Sequence, residues 1–244
     1  MPGPVRILAV RELAAFFLSP LAWVVLALFL LFHGYLLHVT LTATDGDVEA
    51  TLRSLLGGAG FWLSLFLLAP ALTMRLFAEE RRTGTLETLL TAPIGDAQVV
   101  TAKFLGAFLF YALLWAAWLA LPATIVLLGG SPDLGALAAR LVGVLLAGGA
   151  FLAAGLFASS LTSSQAIAAS TSAVLLILLS LLSFAARWLP EGVLRRAAEE
   201  AGFLRHLEDF ARGIVDLRHV TYYVTFTLFF LFLTVRSLES RRWR

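Results

Sequence analysis

Long apolar segments recur along the chain between short polar connections, and they restrict the fold more than any other feature of the sequence. Each of them is close to the roughly 20 residues that an α-helix needs to cross a bilayer. With 60% hydrophobic and 14% charged residues, the chain is also far more apolar than an ordinary soluble domain. The sequence therefore predicts an all-α, polytopic membrane protein.

Six transmembrane spans are predicted within a single domain that covers residues 1–244. Turn signals set the boundaries, such as Ser19-Pro20 before the first span and the Gly-Gly-Ser-Pro-Asp run after the third. The predicted spans are 20–41, 59–78, 97–128, 136–161, 165–186 and 219–236. Glycines and alanines crowd the fourth span, which indicates close helix packing there. Residues 42–57 are predicted to form an acidic loop, and Pro70 is predicted to kink the second span.

Two further segments have an amphipathic pattern. Residues 4–18 place arginines among apolar side chains at helical spacing, which predicts an interfacial helix, although an ordinary lead-in to the first span explains the pattern equally well. Residues 187–218 carry six arginines balanced by acids, with Phe203, Leu207 and Phe210 at helical spacing. This pattern predicts an outer amphipathic helix that lies on the membrane interface or dips into it.

The basic residues of the short segments predict the orientation, because short cytoplasmic segments are enriched in lysine and arginine. Arginines near the N-terminus, between the second and third spans and after the last span all fall on one side if both termini are cytoplasmic. The segment 187–218 argues against this orientation, because it places arginines on the outer side. Its length and its balancing acids weaken that argument.

The stretch from Arg75 to Lys103 is a charged island between two of the apolar runs. Its first part is predicted to extend the second helix, where Glu79 and Arg82 have the spacing of an ion pair on a helix. Gly84 is predicted to end or turn that helix.

A short helix is predicted to follow from Thr85 to Ala92, lying crosswise at the membrane surface. Leu86, Leu89 and Leu90 are on one face of it, and Pro93 is placed to end it. A solvated loop whose charges serve topology is an equally good interpretation. Asp96 is predicted to cap the next helix, and Lys103 to extend its ammonium to the interface.

The sequence lacks the motifs of the enzymes that work in membranes. The only lysine follows Ala102, so the chain has no phosphate-binding loop of the type G-x-x-x-x-G-K-[ST]. It also has no cysteine, no H-E-x-x-H and no serine in a nucleophile elbow. His33 and His38 project to different faces of a helix, so we expect no joint site, with His33 packed or facing a cavity and His38 at the outer interface. We predict no catalysis and no metal site in this chain.

The run MRLFAEERRTGTLETLLTAPIGDAQVVTAKFLGA resembles a motif of the membrane-spanning permeases of type-2 ABC exporters, and within them the gliding-motility-associated subgroup. The motif is a pair of glutamates, a Gly-Thr, a further Glu and a Leu-Leu before a proline, followed by a lysine that opens the third span. The matching residues are Arg75, Glu79, Glu80, Arg81, Gly84, Thr85, Glu87, Leu89, Leu90, Pro93 and Lys103. The outer run HLEDFARGIVDLRHVTYY and the arginine-rich end are similar too, so the resemblance covers essentially the whole chain.

This resemblance implies a connecting helix at 4–18, an ATPase-coupling region at 79–95 and outer re-entrant or interfacial helices before the last span. It assigns the coupling role to the matched residues from Arg75 to Pro93, together with Arg82. Contacts of the outer segment with a partner are assigned to Phe203, His206, Phe210 and Asp216.

The resemblance also implies partners and a location. The partners are a separate ABC ATPase subunit, which would hold ATP and magnesium, and a second permease chain that is identical or related. Many such systems add a periplasmic auxiliary membrane protein, and no nucleic acid is expected. The location implied is the prokaryotic inner membrane, with both termini cytoplasmic.

Two other functions differ in kind from an exporter permease. The first is a membrane scaffold or mechanical coupler, in which ATPase-driven movement acts on periplasmic partners without moving a substrate. The second is a secondary transporter, which predicts interrupted spans and buried charge at mid-membrane, whereas these spans are almost free of charge.

Overall fold

Helices form the regular structure of the protein. The computed structural model describes residues 3–85, 94–185, 188, 190, 192–200 and 202–240, and no strand is present among them. The main helices, in chain order, are α1 (Pro4–Phe17), α2 (Pro20–Ala43), α3 (Val48–Gly57), α4 (Ala59–Thr73), α5 (Ala78–Arg82), α6 (Asp96–Trp118), α7 (Ala120–Leu127), α8 (Leu134–Leu161), α9 (Gln165–Ala185), α10 (Val193–Glu200), α11 (Phe203–Ala211) and α12 (Leu217–Glu239).

Five helical segments of the described residues are long and apolar enough to cross a membrane. They are Ala22–Ala43, Val48–Arg82, Asp96–Leu127, Leu134–Leu161 and Leu217–Glu239. A shorter apolar helix covers Gln165–Leu181, within the predicted fifth span. The all-α, polytopic membrane fold is thereby confirmed, while the number of six spans stays a prediction.

Helix α8 is the centre of the bundle and contacts α4, α6, α9, α11 and α12. Its small residues let neighbours approach closely, as the composition of this segment predicts. A Cβ added to Gly148 would lie 2.2 Å from the ring of Tyr111, and one added to Gly143 would lie 2.4 Å from Phe210. The hydroxyl of Tyr111 donates to the carbonyl of Val144 at 3.1 Å, which ties α6 to α8.

Two of the predicted spans contain a break. Helix α4 ends at Thr73 and α5 begins at Ala78, with a turn between them. Similarly, α6 ends at Trp118 before α7 begins at Ala120. Pro122 lies in the first turn of α7, where a helix tolerates proline, whereas Pro70 lies in the last turn of α4 and removes a backbone N–H donor shortly before the break. The prediction that the second helix extends without a break through Glu79 is therefore wrong.

Residues 42–57 are not the loop that the sequence predicts. Helix α3 begins after Asp47, whose side chain accepts hydrogen bonds from the backbone N–H groups of Glu49 and Ala50 at 2.9 and 3.0 Å. Leu52, Leu55 and Leu56 are fully buried on one face. The acidic residues thus cap and begin a helix, which is the usual effect of carboxylates at this position.

Helix α11, in the predicted outer segment, packs against the protein itself. Phe203, Leu207 and Phe210 of α11 are buried, and the ring of Phe203 lies 4.5 Å from that of Phe151 on α8. Helix α11 is therefore amphipathic as predicted, but its apolar face covers α8 instead of lying in lipid. The reason is that the glycines and alanines of α8 leave a groove that large aromatic side chains fill.

The substitution Gly148→Ala tests the contact between α6 and α8. We expect it to destabilise the protein by about 1–3 kcal/mol, because the added methyl group meets a buried aromatic ring that has no free space to move into. Thermal unfolding of the purified protein in detergent measures the effect.

Gly34→Ala is the control. An added Cβ there meets only Leu121 at 3.9 Å, an ordinary contact, so the better helix propensity of alanine leaves stability equal or slightly higher. Equal unfolding temperatures for the two variants would contradict the packing argument.

Candidate functional site

Lys103, the only lysine of the chain, is buried in α6 with 1% of its side chain exposed. Its Nζ donates to Glu80 Oε1 at 2.7 Å and to Glu12 Oε1 at 3.1 Å, and it lies 5.4 Å from the ring centroid of Phe77. The prediction that this ammonium reaches the interface is wrong. Two carboxylates lie within reach, and a buried ammonium is most stable where it is ion-paired.

These three charged residues, the Lys103 cluster, belong to three different helices. Glu12 is on α1, Glu80 on α5 and Lys103 on α6. Both carboxylate side chains are only slightly exposed, at 12% and 19%. Arg11, at 59% exposure, adds a 3.2 Å contact to Glu12 that contributes little, because the guanidinium is in water. The cluster therefore joins α1 and α5 to α6 through one ammonium.

Close packing seats α1 on α6 beside the cluster. A Cβ added to Gly106 would lie 2.6 Å from the Cβ of Glu12, so the glycine lets the two helices touch. The rings of Phe16 and Phe110 stack with centroids 4.9 Å apart. Segment 4–18 is thus helical and held by α6, and its position relative to a membrane surface stays a prediction.

Ser159 of α8 closes the break between α4 and α5. Its Oγ accepts hydrogen bonds from the backbone N–H groups of Phe77 and Ala78, both at 3.2 Å, and donates to the carbonyl of Met74 at 3.2 Å. Backbone groups that the broken helix leaves without partners are satisfied in this way. Sequence reasoning missed this residue, because a serine in an apolar helix gives no sign of a partner 82 positions away.

Glu79 and Arg75 connect the same region to other helices. Arg82 Nη2 donates to Glu79 Oε1 at 2.6 Å, which confirms the predicted ion pair. The side-chain amide of Gln165, at the start of α9, donates to the other oxygen of Glu79. Arg75 Nη1 donates to Ser19 Oγ before α2 at 3.4 Å.

The remaining residues of the predicted coupling region lie at the surface or beyond the described part. Gly84 has φ +74°, a left-handed conformation that favours glycine and ends the helical stretch as predicted. Arg81 is half-buried, whereas Thr85 is exposed. Leu86, Glu87, Leu89, Leu90 and Pro93 lie outside the described residues, so the crosswise helix stays a prediction.

The predicted cap of the next helix is displaced by one residue. Gly95 is the N-cap of α6, and Asp96, the predicted cap, is the first residue of the helix. The side chain of Gln98 accepts from the backbone N–H of Gly95 at 3.2 Å. The carboxylate of Asp96 is still favourable there, because it lies at the positive end of the helix dipole.

Of the four residues of segment 187–218 that the resemblance assigns to a partner contact, three are buried. Phe203, His206 and Phe210 are at most 4% exposed and pack inside the chain. Asp216 caps α12 by accepting from the backbone N–H of Arg218 at 2.8 Å. Hydrogen bonds from the Arg218 guanidinium and backbone lower the pKa of Asp216 to about 2. A partner that touches this end in the present conformation meets the exposed side chains around Asp216.

His33 and His38 share no site, in line with their spacing. His33 is buried between the rings of Phe29 and Trp115, and its Nδ1 donates to the carbonyl of Phe29 at 3.0 Å. His38 is exposed. Of the alternatives for His33, the packed one is confirmed.

Comparison with known proteins finds a matching family model. A model described as ABC-2 family transporter protein matches residues 31–233 of the chain. The match begins within α2, ends within α12 and includes Glu80 and Lys103. A search of curated proteins finds no match.

Ser159→Ala tests the role assigned to this hydroxyl. We expect a loss of about 1–3 kcal/mol, because two buried N–H groups lose their acceptor. Hydrogen exchange of residues 74–82 should also become faster, which mass spectrometry measures by peptide.

The neighbouring Ser160→Ala is the matched control. Ser160 is also buried on α8, but its hydroxyl donates only to Phe157 within the same helix, at 2.7 Å. Its substitution should leave exchange in 74–82 unchanged. Equal exchange in both variants would show that Ser159 does not hold the break.

Proposed function

Because the chain belongs to the ABC-2 family of transporter proteins, we propose that it is the permease subunit of an ATP-driven exporter and works with a separate nucleotide-binding subunit. The ATP and magnesium are bound by that subunit, and this chain performs no catalysis. The absence of a phosphate-binding loop from the sequence supports this division of labour.

The Lys103 cluster is the single observation that carries the proposal. The predicted coupling region, residues 79–95, begins within α5 and ends just before α6, and the cluster joins these two helices directly through Glu80 and Lys103. Glu12 extends the same contact to α1. A displacement of the coupling region is therefore passed to several helices together, which a solvated loop would not do.

The mechanism follows from these contacts. Closure of the ATPase subunits on ATP pushes the coupling region, and α5 moves with it. Because of the break, α4 and α5 do not move as one rigid helix. The hydrogen bonds of Ser159 attach the turn between them to α8. Movement of α5 thus acts on α6 through the ion pair of Glu80 with Lys103, and on α8 through the hydrogen bond from the Ala78 backbone to the Ser159 hydroxyl.

Location and partners complete the proposal. Positive residues at the end that holds α1 and α5, together with Arg236 near the end of α12, support a cytoplasmic position for both termini in the prokaryotic inner membrane. A second permease chain, identical or related, completes the transporter. Apolar side chains exposed on α2 and α12, such as Leu31 and Phe232, are available to it and to lipid. An auxiliary periplasmic protein at the α11 end and a link to gliding motility are further parts of the proposal.

Purification of the tagged chain from its native membrane tests the assembly. We expect a subunit with a phosphate-binding loop to accompany it in near-equal amounts, because the chain has no ATPase site of its own. Mass spectrometry identifies the subunits, and their ATPase activity is measured after reconstitution. An intact, folded chain that never carries a nucleotide-binding subunit would overturn the proposal.

The reconstituted complex also separates an exporter from a scaffold. In an exporter, a transported compound stimulates ATP hydrolysis and accumulates in the vesicle lumen. In a mechanical coupler, a periplasmic partner stimulates hydrolysis and no compound crosses the membrane.

Glu80→Gln tests coupling through the cluster. We expect the ATPase subunit still to bind, while substrate-stimulated ATP turnover falls by about fivefold or more. The reason is that the amide keeps the shape of the side chain but removes the charge that pairs with Lys103. Glu208→Gln, an exposed substitution on α11, should leave turnover unchanged. Normal turnover in Glu80→Gln and in Lys103→Gln would exclude this route of coupling.

A further inference from the structure

Two histidines meet at the end of the bundle that holds α11, away from the Lys103 cluster. His206 Nδ1 of α11 lies 2.7 Å from His219 Nδ1 of α12. His219 Nε2 lies 2.8 Å from Asp209 Oδ2, and His206 Nε2 lies 2.8 Å from the carbonyl oxygen of Glu200. The result is a row of three hydrogen-bond contacts with an oxygen acceptor at each end.

The number of protons in this row is fixed by its chemistry. A carbonyl oxygen and a carboxylate only accept, so each Nε2 must carry a hydrogen. Two neutral imidazoles have no further proton, and their Nδ1 lone pairs would then face each other at 2.7 Å. One additional proton between the two Nδ1 atoms turns this repulsion into a hydrogen bond. A second would place two N–H groups head to head.

We propose that His206 and His219 form a proton-binding site that holds one extra proton between their Nδ1 atoms and thereby fastens α11 to α12. The proposal stands on this geometry and does not depend on the proposed transport function. With the shared proton bound, the site has a net charge of zero, because Asp209 carries the opposite charge.

The groups around the site support a single extra proton. His206 is 4% exposed and stacks on the ring of Tyr222 at 3.9 Å. Burial is the main cause that lowers the pKa of His206, and the neighbouring His219 lowers it further, while the Glu200 carbonyl acts in the opposite direction. Burial opposes a charge on either ring, so the shared proton depends on the Asp209 carboxylate and on the hydrogen bond between the two Nδ1 atoms, and a second charge is disfavoured more strongly.

Other charged groups near the row are engaged with opposite charges or backbone groups. Arg205 pairs with Glu200 at 3.1 Å, and Arg218 pairs with Asp216 at 2.8 Å. Arg212 lies 3.9 Å from Asp209 on the side away from His219 Nε2, at the other carboxylate oxygen. From α8, Arg140 donates to the carbonyl of Ala211 at 2.9 Å and pairs with Glu49 of α3. Asp209 is thus the acid that faces the histidine pair.

The same geometry disfavours a metal ion. Two nitrogen ligands of a tetrahedral zinc ion lie about 3.3 Å apart, which is longer than the distance between the Nδ1 atoms. Within the described ranges, no three metal-ligating side chains form a group that could hold a metal. His206 lines an open cavity of about 720 Å³ between α10, α11 and α12.

The pH dependence has a definite sign on each side. In the unfolded chain both histidines titrate near their ordinary pKa of about 6.5. Below that pH the unfolded chain binds two protons and the folded site one, so stability falls as pH falls. Above the pH at which the folded site releases the shared proton, the two lone pairs face each other, so stability falls as pH rises through that point. Stability should therefore have a maximum at intermediate pH.

Thermal unfolding of the full chain in lipid nanodiscs, between about pH 5 and pH 9, tests the proposal. We expect a maximum in the wild type and a fall of about 2–4 °C or more on each side. His206→Gln should flatten this contribution, because glutamine forms hydrogen bonds but does not titrate. His38→Gln, at an exposed histidine, should keep the wild-type profile. A wild type without a maximum, or the same profile in His206→Gln, would overturn the proposal.

A second measurement covers the case in which His206→Gln does not fold. Nitrogen NMR of the wild type with ¹⁵N-labelled histidine should show two Nδ1 nuclei coupled across one shared proton at intermediate pH, and no coupling at either extreme. Uncoupled neutral imidazoles at every pH would contradict a bound proton. A zinc-dependent rise in unfolding temperature that His206→Gln abolishes would show a metal site instead.

Discussion

A buried ammonium is stable only where anionic groups surround it, and the Lys103 ammonium takes both of its carboxylates from helices other than its own. This requirement places α1 and α5 against α6. Removal of the Lys103 ammonium leaves two carboxylates close together in a poorly hydrated site, and breaking a buried pair in this way costs about 3–5 kcal/mol. The three helices therefore have one arrangement in which the ammonium is paired with both carboxylates. Motion of α5 without the others has a high free-energy cost, because it separates Glu80 from Lys103. This is the physical reason to regard the region as a unit that moves together.

Helix α8 connects this end of the bundle with the opposite one. Ser159 near its end holds the break before α5, and Arg140 near its start holds the carbonyl of Ala211 at the end of α11. The two residues are separated by about 28 Å along the helix axis, roughly the thickness of the hydrocarbon core. Because the small residues of α8 also bring Tyr111 and Phe210 into contact with its backbone, the helix cannot shift without displacing both sets of neighbours. Contacts at the two ends are thus mechanically related through one rigid element.

Local patterns in the sequence predicted part of this structure. The apolar segments gave the fold class, the spacing of Glu79 and Arg82 gave their ion pair, and Gly84 marked the end of a helix. Contacts between distant parts of the chain were not predictable, because Glu12 and Lys103 are 91 positions apart and no periodicity relates them. Lys103 was therefore assigned to the interface from its place near a span end. Helix α3 is missed for a different reason: the acids of residues 42–57 predict an acidic loop, although Asp47 followed by leucines at helical spacing is a capping pattern.

The Lys103 cluster at one end of the bundle and the histidine pair at the other are rearranged by different events. The Lys103 cluster pairs an ammonium with two carboxylates that belong to other helices, so a mechanical displacement of those helices is the event that can rearrange it. The contact between His206 and His219 depends on one proton, so the composition of the surrounding solution can rearrange it without mechanical force. Helix α12 contacts both α8 and α11, and α8 in turn contacts α5. Loosening of α11 from α12 would therefore change the surroundings of α8, and through it the support of the break before α5, without any change in the Lys103 cluster itself.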